Sequence, residues 1–140
     1  MTDAPTTRAL VIEREMAHPP EKIWRALTEG PLIAEWLMTN DFRPVVGHRF
    51  SFRANPVANW NGVIECEVLV VEPQARLMYS WGTLGLETAV TWTLTPTEGG
   101  TQVRMEQTGF SSEGGANYKG AKYGWNKFIG NMERVVGGLE

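Results

Sequence analysis

The chain has 140 residues, 42% of them apolar and 21% charged, with a single cysteine and a net charge of -3. That length suits one domain, spanning residues 8–140, with a core that needs neither disulfide nor metal. Basic and acidic residues are mixed and form no Lys/Arg stripe to neutralise phosphates, which argues against a general nucleic-acid binder.

Residues 1–7 read as a flexible leader with neither the basic segment nor the apolar run of a secretory signal. Residues 8–16 alternate as a strand, with Leu10, Ile12, Arg14 and Met16 on one side. His18-Pro19-Pro20 ends it and opens a helix, because the first helical N–H groups have no partner and proline costs nothing there. Ile23, Trp24 and Leu27 form the stripe of that helix, and Thr28-Glu29-Gly30 closes it. Pro31 starts a second short helix that offers Leu32, Ile33, Trp36 and Leu37 for packing. Residues 41–45 read as a short irregular strand. Residues 49–53 read as another, with Phe50 and Phe52 on one face.

Residues 54–62 are rich in turn formers and expose Trp60. A long strand over 63–72 groups Ile64, Cys66, Val68 and Val70 on one side and Glu65 and Glu67 on the other. After Pro73-Gln74, residues 76–81 place Leu77, Tyr79 and Trp81 on one face, with Met78 opposite them unless a bulge intervenes. Gly82 and Gly85 bracket a flexible link. The clearest hairpin follows: Val90, Trp92 and Leu94 alternate with threonines, Thr97-Glu98-Gly99-Gly100 turns the chain, and Val103, Met105 and Gln107 alternate with Arg104, Glu106 and Thr108. The period then changes. Trp125, Phe128, Ile129, Met132, Val135, Val136 and Leu139 share one face of a long helix, which begins as early as Glu113 and whose first half is weakened by glycines.

Six or seven strands make a sheet roughly 30 Å wide, against a helix about 10 to 12 Å across. A flat sheet would leave apolar surface in water at a cost of roughly 25 cal/mol per Å². A strongly bent antiparallel sheet wrapped around the last helix is therefore expected: an α+β helix-grip. Its interior is either solid or a pocket. The candidate walls are Trp36, Phe52, Cys66, Met78, Trp81, Trp92, Met105, Trp125, Ile129 and Met132, with Glu87 and Tyr118 as polar groups able to meet a guest. The same residue types also serve as ordinary core, and the glycine segments 82–85 and 114–124 as ordinary turns. If a pocket exists, its mouth is expected near Trp60, one of those glycine segments and the Trp36 helix.

Reaction chemistry has little to stand on. His18 and His48 have no pattern with Cys66 that suits zinc or a catalytic thiol, and Cys66 alternates with apolar positions as a buried small side chain would. Glu65 and Glu67 share a side, but it is the solvent side. No nucleophile elbow or phosphate-binding glycine loop is present, so no catalytic residue, metal or cofactor is expected. One cysteine and no apolar run of bilayer length lead to an expected cytoplasmic location.

The phrases HPPEKIWRALTEGPLIAEW, DFRPVVGHRF, NGVIECEVLVVEPQARLMYSW, ETAVTWTLTPTEGGTQVRMEQTGF and GWNKFIGNMERV, in this order, resemble the bacterial Hsp90-ATPase-activator-like domain family of the START and Bet v 1-like superfamily. The resemblance covers residues 8–139. It implies a helix-grip fold with a deep hydrophobic cavity and the binding of lipids, sterols, polyketide-like or other hydrophobic molecules, with cyclase or hydrolase chemistry in a minority. It also implies a chaperone or other protein partner, and a homodimer is a further option. No catalytic residues define this branch. In eukaryotic activators such a domain is joined to another at its N-terminus, for which residues 1–7 leave no room, so ATPase activation is not expected.

Overall fold

The computed structural model describes residues 7–56, 61–83, 86–111 and 115–139. Along these residues the chain runs β1 (Thr7–Met16), α1 (Pro20–Thr28), α2 (Gly30–Trp36), β2 (Thr39–Asn40), β3 (Arg49–Arg53), β4 (Val63–Glu72), β5 (Arg76–Thr83), β6 (Leu86–Thr97), β7 (Gly100–Ser111) and α3 (Gly115–Gly137). The strands form one antiparallel sheet in the order β1-β7-β6-β5-β4-β3-β2. It is curved and unclosed, and it wraps the long α3 with the two short helices beside it. This is the helix-grip expected from the sequence.

Three local features shape the grip. Gly100 opens β7 where β1 ends: a Cβ there would lie 2.0 Å from the Met16 carbonyl oxygen, so only glycine lets the hairpin close onto β1. Gly109 has φ +108°, and the β1 register slips opposite it between Arg8 and Ala9, the signature of a bulge that bends the sheet. A second bulge lies in β4, where Val68 pairs with Tyr79 but Val70 pairs with Met78. It turns Val70 to the convex face, exposes Leu69 and returns Val71 to the core beside Leu77. The expected grouping of Val70 with Ile64, Cys66 and Val68 is thus corrected by one extra residue.

Two smaller expectations also change. The short strand lies at Thr39–Asn40, paired with Arg53 and Phe52, and residues 41–45 form a connection rather than a strand. That connection is fixed by side chains, since the Asp41 carboxylate accepts the Ser51 amide at 2.8 Å. Gly82 belongs to β5, opposite Glu65 and Glu87, while residues 84–85 and Trp60 lie outside the described residues.

Pro20 begins α1, as its missing N–H allows, and the chain re-enters a helix at Gly30 with little interruption. The buried Trp36 indole N–H donates to the Ala26 carbonyl at 2.8 Å, which ties α2 to α1. On α3, Trp125, Ile129, Met132 and Val136 recur every three or four residues and are all buried, while Asn126 and Lys127 face water. α3 packs against α1, α2 and β1. The Arg14–Glu133 pair at 3.4 Å spans its exposed contact with β1.

Candidate functional site

Antiparallel registry sets the concave face out in rows. Val71, Leu77, Trp92, Met105 and Ile12 are successive neighbours across β4, β5, β6, β7 and β1. The adjoining row is Val68, Tyr79, Val90, Gln107 and Leu10. Beyond it lie Trp81 and Thr88, and on the far strands Phe50 faces Cys66 and Phe52 faces Ile64. The aromatic side chains form an unbroken path of ring contacts. It runs from Phe42 to Phe50 (5.1 Å between centroids), to Phe52 (5.3 Å), Trp81 (5.3 Å), Trp125 on α3 (5.1 Å), Trp92 (5.7 Å) and Trp36 on α2 (5.7 Å). Most of these contacts are edge-to-face or tilted, the geometry that ring quadrupoles favour. Rings therefore bridge the space between sheet and helix at the level of Trp81, Trp92 and Trp125.

Every ring of this path is buried, with small differences in residual exposure. Val90 and Trp92 are fully buried, whereas Trp81 and Leu37 retain 8% exposure and Phe42 7%. The residual exposure falls on single residues, Phe42 in the connection before β3, Trp81 on β5 and Leu37 after α2, and not on a whole side of the core. α3 lies against β1.

A directed set of hydrogen bonds crosses the apolar interior. The Trp125 indole N–H donates to Gln107 Oε1 at 2.8 Å, Gln107 Nε2 donates to Thr88 Oγ1 at 2.8 Å, and the Thr88 hydroxyl donates to the Trp81 carbonyl at 3.0 Å. The orientation of the amide is fixed by chemistry, because an indole N–H can only donate and Oε1 must face it. In this way Gln107 on β7 ties α3 to the end of the β5–β6 hairpin. The Trp92 indole N–H donates to the Tyr79 hydroxyl at 3.0 Å. Burial pushes the Tyr79 hydroxyl up, against the opposing effect of the Trp92 hydrogen bond, so it keeps its proton. Burial likewise pushes the Cys66 thiol up, with the charges of Asp41 and Glu65 adding to the effect. A thiol held neutral in this way is a poor nucleophile.

The structure brings Trp36, Phe52, Cys66, Trp81, Trp92, Met105, Trp125, Ile129 and Met132 into one continuous core. Met78 stands apart, half-buried on the convex face opposite Val70 and Thr91, and Glu87 is exposed. The side chain of Tyr118 lies outside the described residues, as do Trp60 and residues 84–85 and 114 of the expected mouth, whereas the Trp36 helix is described and Trp36 is buried. Gln107, Thr88 and Tyr79 are not among the candidate site residues of the sequence, although alternation sets Tyr79 and Gln107 on apolar strand faces. A polar Gln in the inward register of Val103 and Met105 was the available signal. A shallow groove of about 430 Å³ between α2 and the C-terminal half of α3, lined by Leu32, Glu35, Asn131, Arg134 and Val135, involves none of the anticipated residues. Among the described residues no cluster of His, Cys, Asp or Glu suits a metal, and no helix is long and apolar enough to cross a membrane.

Solved structures share this architecture. Protein MLL2253 from Mesorhizobium loti is 48% identical, with a TM-score of 0.88 over 95% of this chain and 99% of that one. CalU16 from Micromonospora echinospora is 22% identical, with a TM-score of 0.76 over 93% and 76% of the two chains. BH1534 from Bacillus halodurans is 24% identical, with a TM-score of 0.78 over 92% and 96%. The last two likenesses speak for the fold alone. Among curated proteins none matches the chain. The helix-grip topology agrees with a sequence profile that matches residues 17–137, and the chain belongs to the family described as Activator of Hsp90 ATPase homolog 1-like protein.

Proposed function

We propose that this chain binds a small hydrophobic molecule non-covalently between the concave sheet face and α3, without catalysing its conversion, as one unit over residues 8–140 in the cytoplasm. The observation that carries this reading is the aromatic path from Phe42 through Trp81 to Trp125, which lines the interior from β3 to α3 and whose members Phe42 and Trp81, though buried, keep the most residual exposure. Rigid rings along the inner face would present a fixed apolar wall to a guest. A fold class associated with small-molecule binding supports the same reading. The Cys66 thiol, held neutral by burial, is a poor nucleophile, which supports a non-covalent reading. Native mass spectrometry of gently purified protein is the test. A co-purifying mass lost on denaturation is expected. No such mass, together with silence in a screen of apolar compounds, would retire the proposal.

A second reading is a protein-interaction module linked to chaperone or stress biology, with a filled interior. The specific observation in its favour is that Trp125 on α3 already touches both Trp81 and Trp92 on the sheet. Charge-reversal variants that abolish capture of Hsp90, alongside an interior inert to apolar probes, would favour it over guest binding.

A further inference from the structure

Two polar side chains of the interior are left with unspent donors. The Tyr79 hydroxyl accepts from Trp92, but its own proton has no acceptor among the described residues, and it sits at 3% exposure among Phe42, Phe50, Phe52 and Trp81. Gln107 spends one of its two amide protons on Thr88, and the other has no acceptor among the described residues, at 1% exposure. Buried donors in native proteins are almost always satisfied, and an unsatisfied one costs about 1–3 kcal/mol. Registry places both on the same row of the concave face, on either side of the fully buried Val90.

The charges around this row narrow what can meet them. No Lys or Arg is buried among the described residues, while the carboxylates of Asp41 and Glu65 act on Cys66 from the β3–β4 side. A carboxylate or phosphate entering here would lose its hydration with no cation to replace it. A neutral acceptor oxygen would lose far less and would satisfy a donor that is already buried.

Resting on the binding reading above, we infer that the guest is an uncharged apolar molecule bearing a carbonyl-type oxygen, and that the Tyr79 hydroxyl, with Gln107 as second donor on the same row, is the polar anchor that selects it. The Trp and Phe rings supply affinity for the apolar body. Tyr79 supplies discrimination, because a hydrocarbon of equal shape leaves the hydroxyl proton unmet.

Three probes of one shape test this: 2-ethylnaphthalene, 2-acetylnaphthalene and 2-naphthoate, titrated against intrinsic Trp fluorescence. The ketone is expected to bind about tenfold tighter than the hydrocarbon, and the carboxylate more weakly than the ketone. Replacing Tyr79 alone would strand the Trp92 indole N–H, which would then substitute for the hydroxyl. The comparison is therefore made between Trp92→Phe, which keeps the preference for the ketone, and Trp92→Phe with Tyr79→Phe, which loses it. Should either variant fail to fold, the infrared stretch of ¹³C-carbonyl-labelled 2-acetylnaphthalene bound to the wild-type protein decides: a lower frequency than in cyclohexane is expected, and an unshifted one overturns the anchor. Equal affinities for hydrocarbon and ketone overturn the inference while leaving guest binding intact. If none of the three binds, the anchor inference falls, while guest binding itself is decided by the native mass spectrometry above.

Discussion

Replacing Gln107 by Leu probes the only polar tie described between α3 and the centre of the sheet. The substitution keeps the side chain's approximate volume and removes the acceptor of the Trp125 indole N–H and the donor to Thr88. Trp125 is 3% exposed, so its N–H has no recourse to water, and stranding it costs about 1–3 kcal/mol. Thr88 keeps its bond to the Trp81 carbonyl and loses only an incoming donor. The loss of the unspent Gln107 N–H and the gain of an apolar side chain offset part of this, leaving a net cost of about 2 kcal/mol. With an unfolding entropy of about 2.1 cal/mol/K per residue, a chain of this length should melt about 7 °C lower. Trp125→Phe removes the donor, so in that background the cost of Gln107→Leu should fall by about 1 kcal/mol. Thermal melts followed by circular dichroism of the wild type, both single variants and the double variant measure this. An unchanged melting temperature in Gln107→Leu, or the same cost with and without the Trp125 indole, would refute the reasoning.

Gly100→Ala should lower stability by about 3 kcal/mol, read as a shifted urea midpoint, because its Cβ would meet the Met16 carbonyl and the His18 amide, both backbone groups that cannot swing aside; an unmoved midpoint would contradict the close approach. In the unfolded chain the Cys66 thiol ionises past about pH 8.5 while the folded protein keeps it protonated, so the unfolded state binds fewer protons and stability should fall as pH rises, by about 2 kcal/mol at pH 10. Tyr79 adds its own decline at still higher pH. Urea melts of wild type and Cys66→Ala between pH 7 and 10 check this, and equal slopes for the two would contradict it. Arg14→Ala, which breaks the half-exposed pair with Glu133, should cost no more than about 0.5 kcal/mol, and a larger loss would show that surface charge, not packing, seats α3 on β1.

The fold was legible wherever one periodicity held over a whole element. The β6–β7 hairpin alternates through its turn, and the Trp125–Ile129–Met132–Val136 stripe has helical spacing, so both could be placed from local pattern alone. What escaped depended on a partner strand. The β4 bulge, which turns Val70 outward, is a mismatch in count between β4 and β5 and leaves no mark in either segment's own composition. The irregular strand expected at residues 41–45 fails for a similar reason: the Asp41 carboxylate, not a strand, satisfies the Ser51 amide at the sheet edge. Size and apolarity gathered most of the interior residues; alternation put Tyr79 beside Leu77 and Trp81 and Gln107 beside Val103 and Met105, but gave neither of them, nor Thr88, a role in the site. Their significance lies in which atoms they spend on one another, and that is a property of three dimensions.

The central claim, that a guest enters between the sheet and α3, is tested most directly where the rings meet. In a ¹H–¹⁵N correlation spectrum the indole N–H signals of Trp81, Trp92 and Trp125, assigned by substitution, are followed while 2-ethylnaphthalene is added. Guest binding predicts that these three signals shift saturably while the amide of exposed Lys127 stays in place. Indole signals that stay fixed up to the solubility limit of the probe would contradict it and leave the interior as packed core.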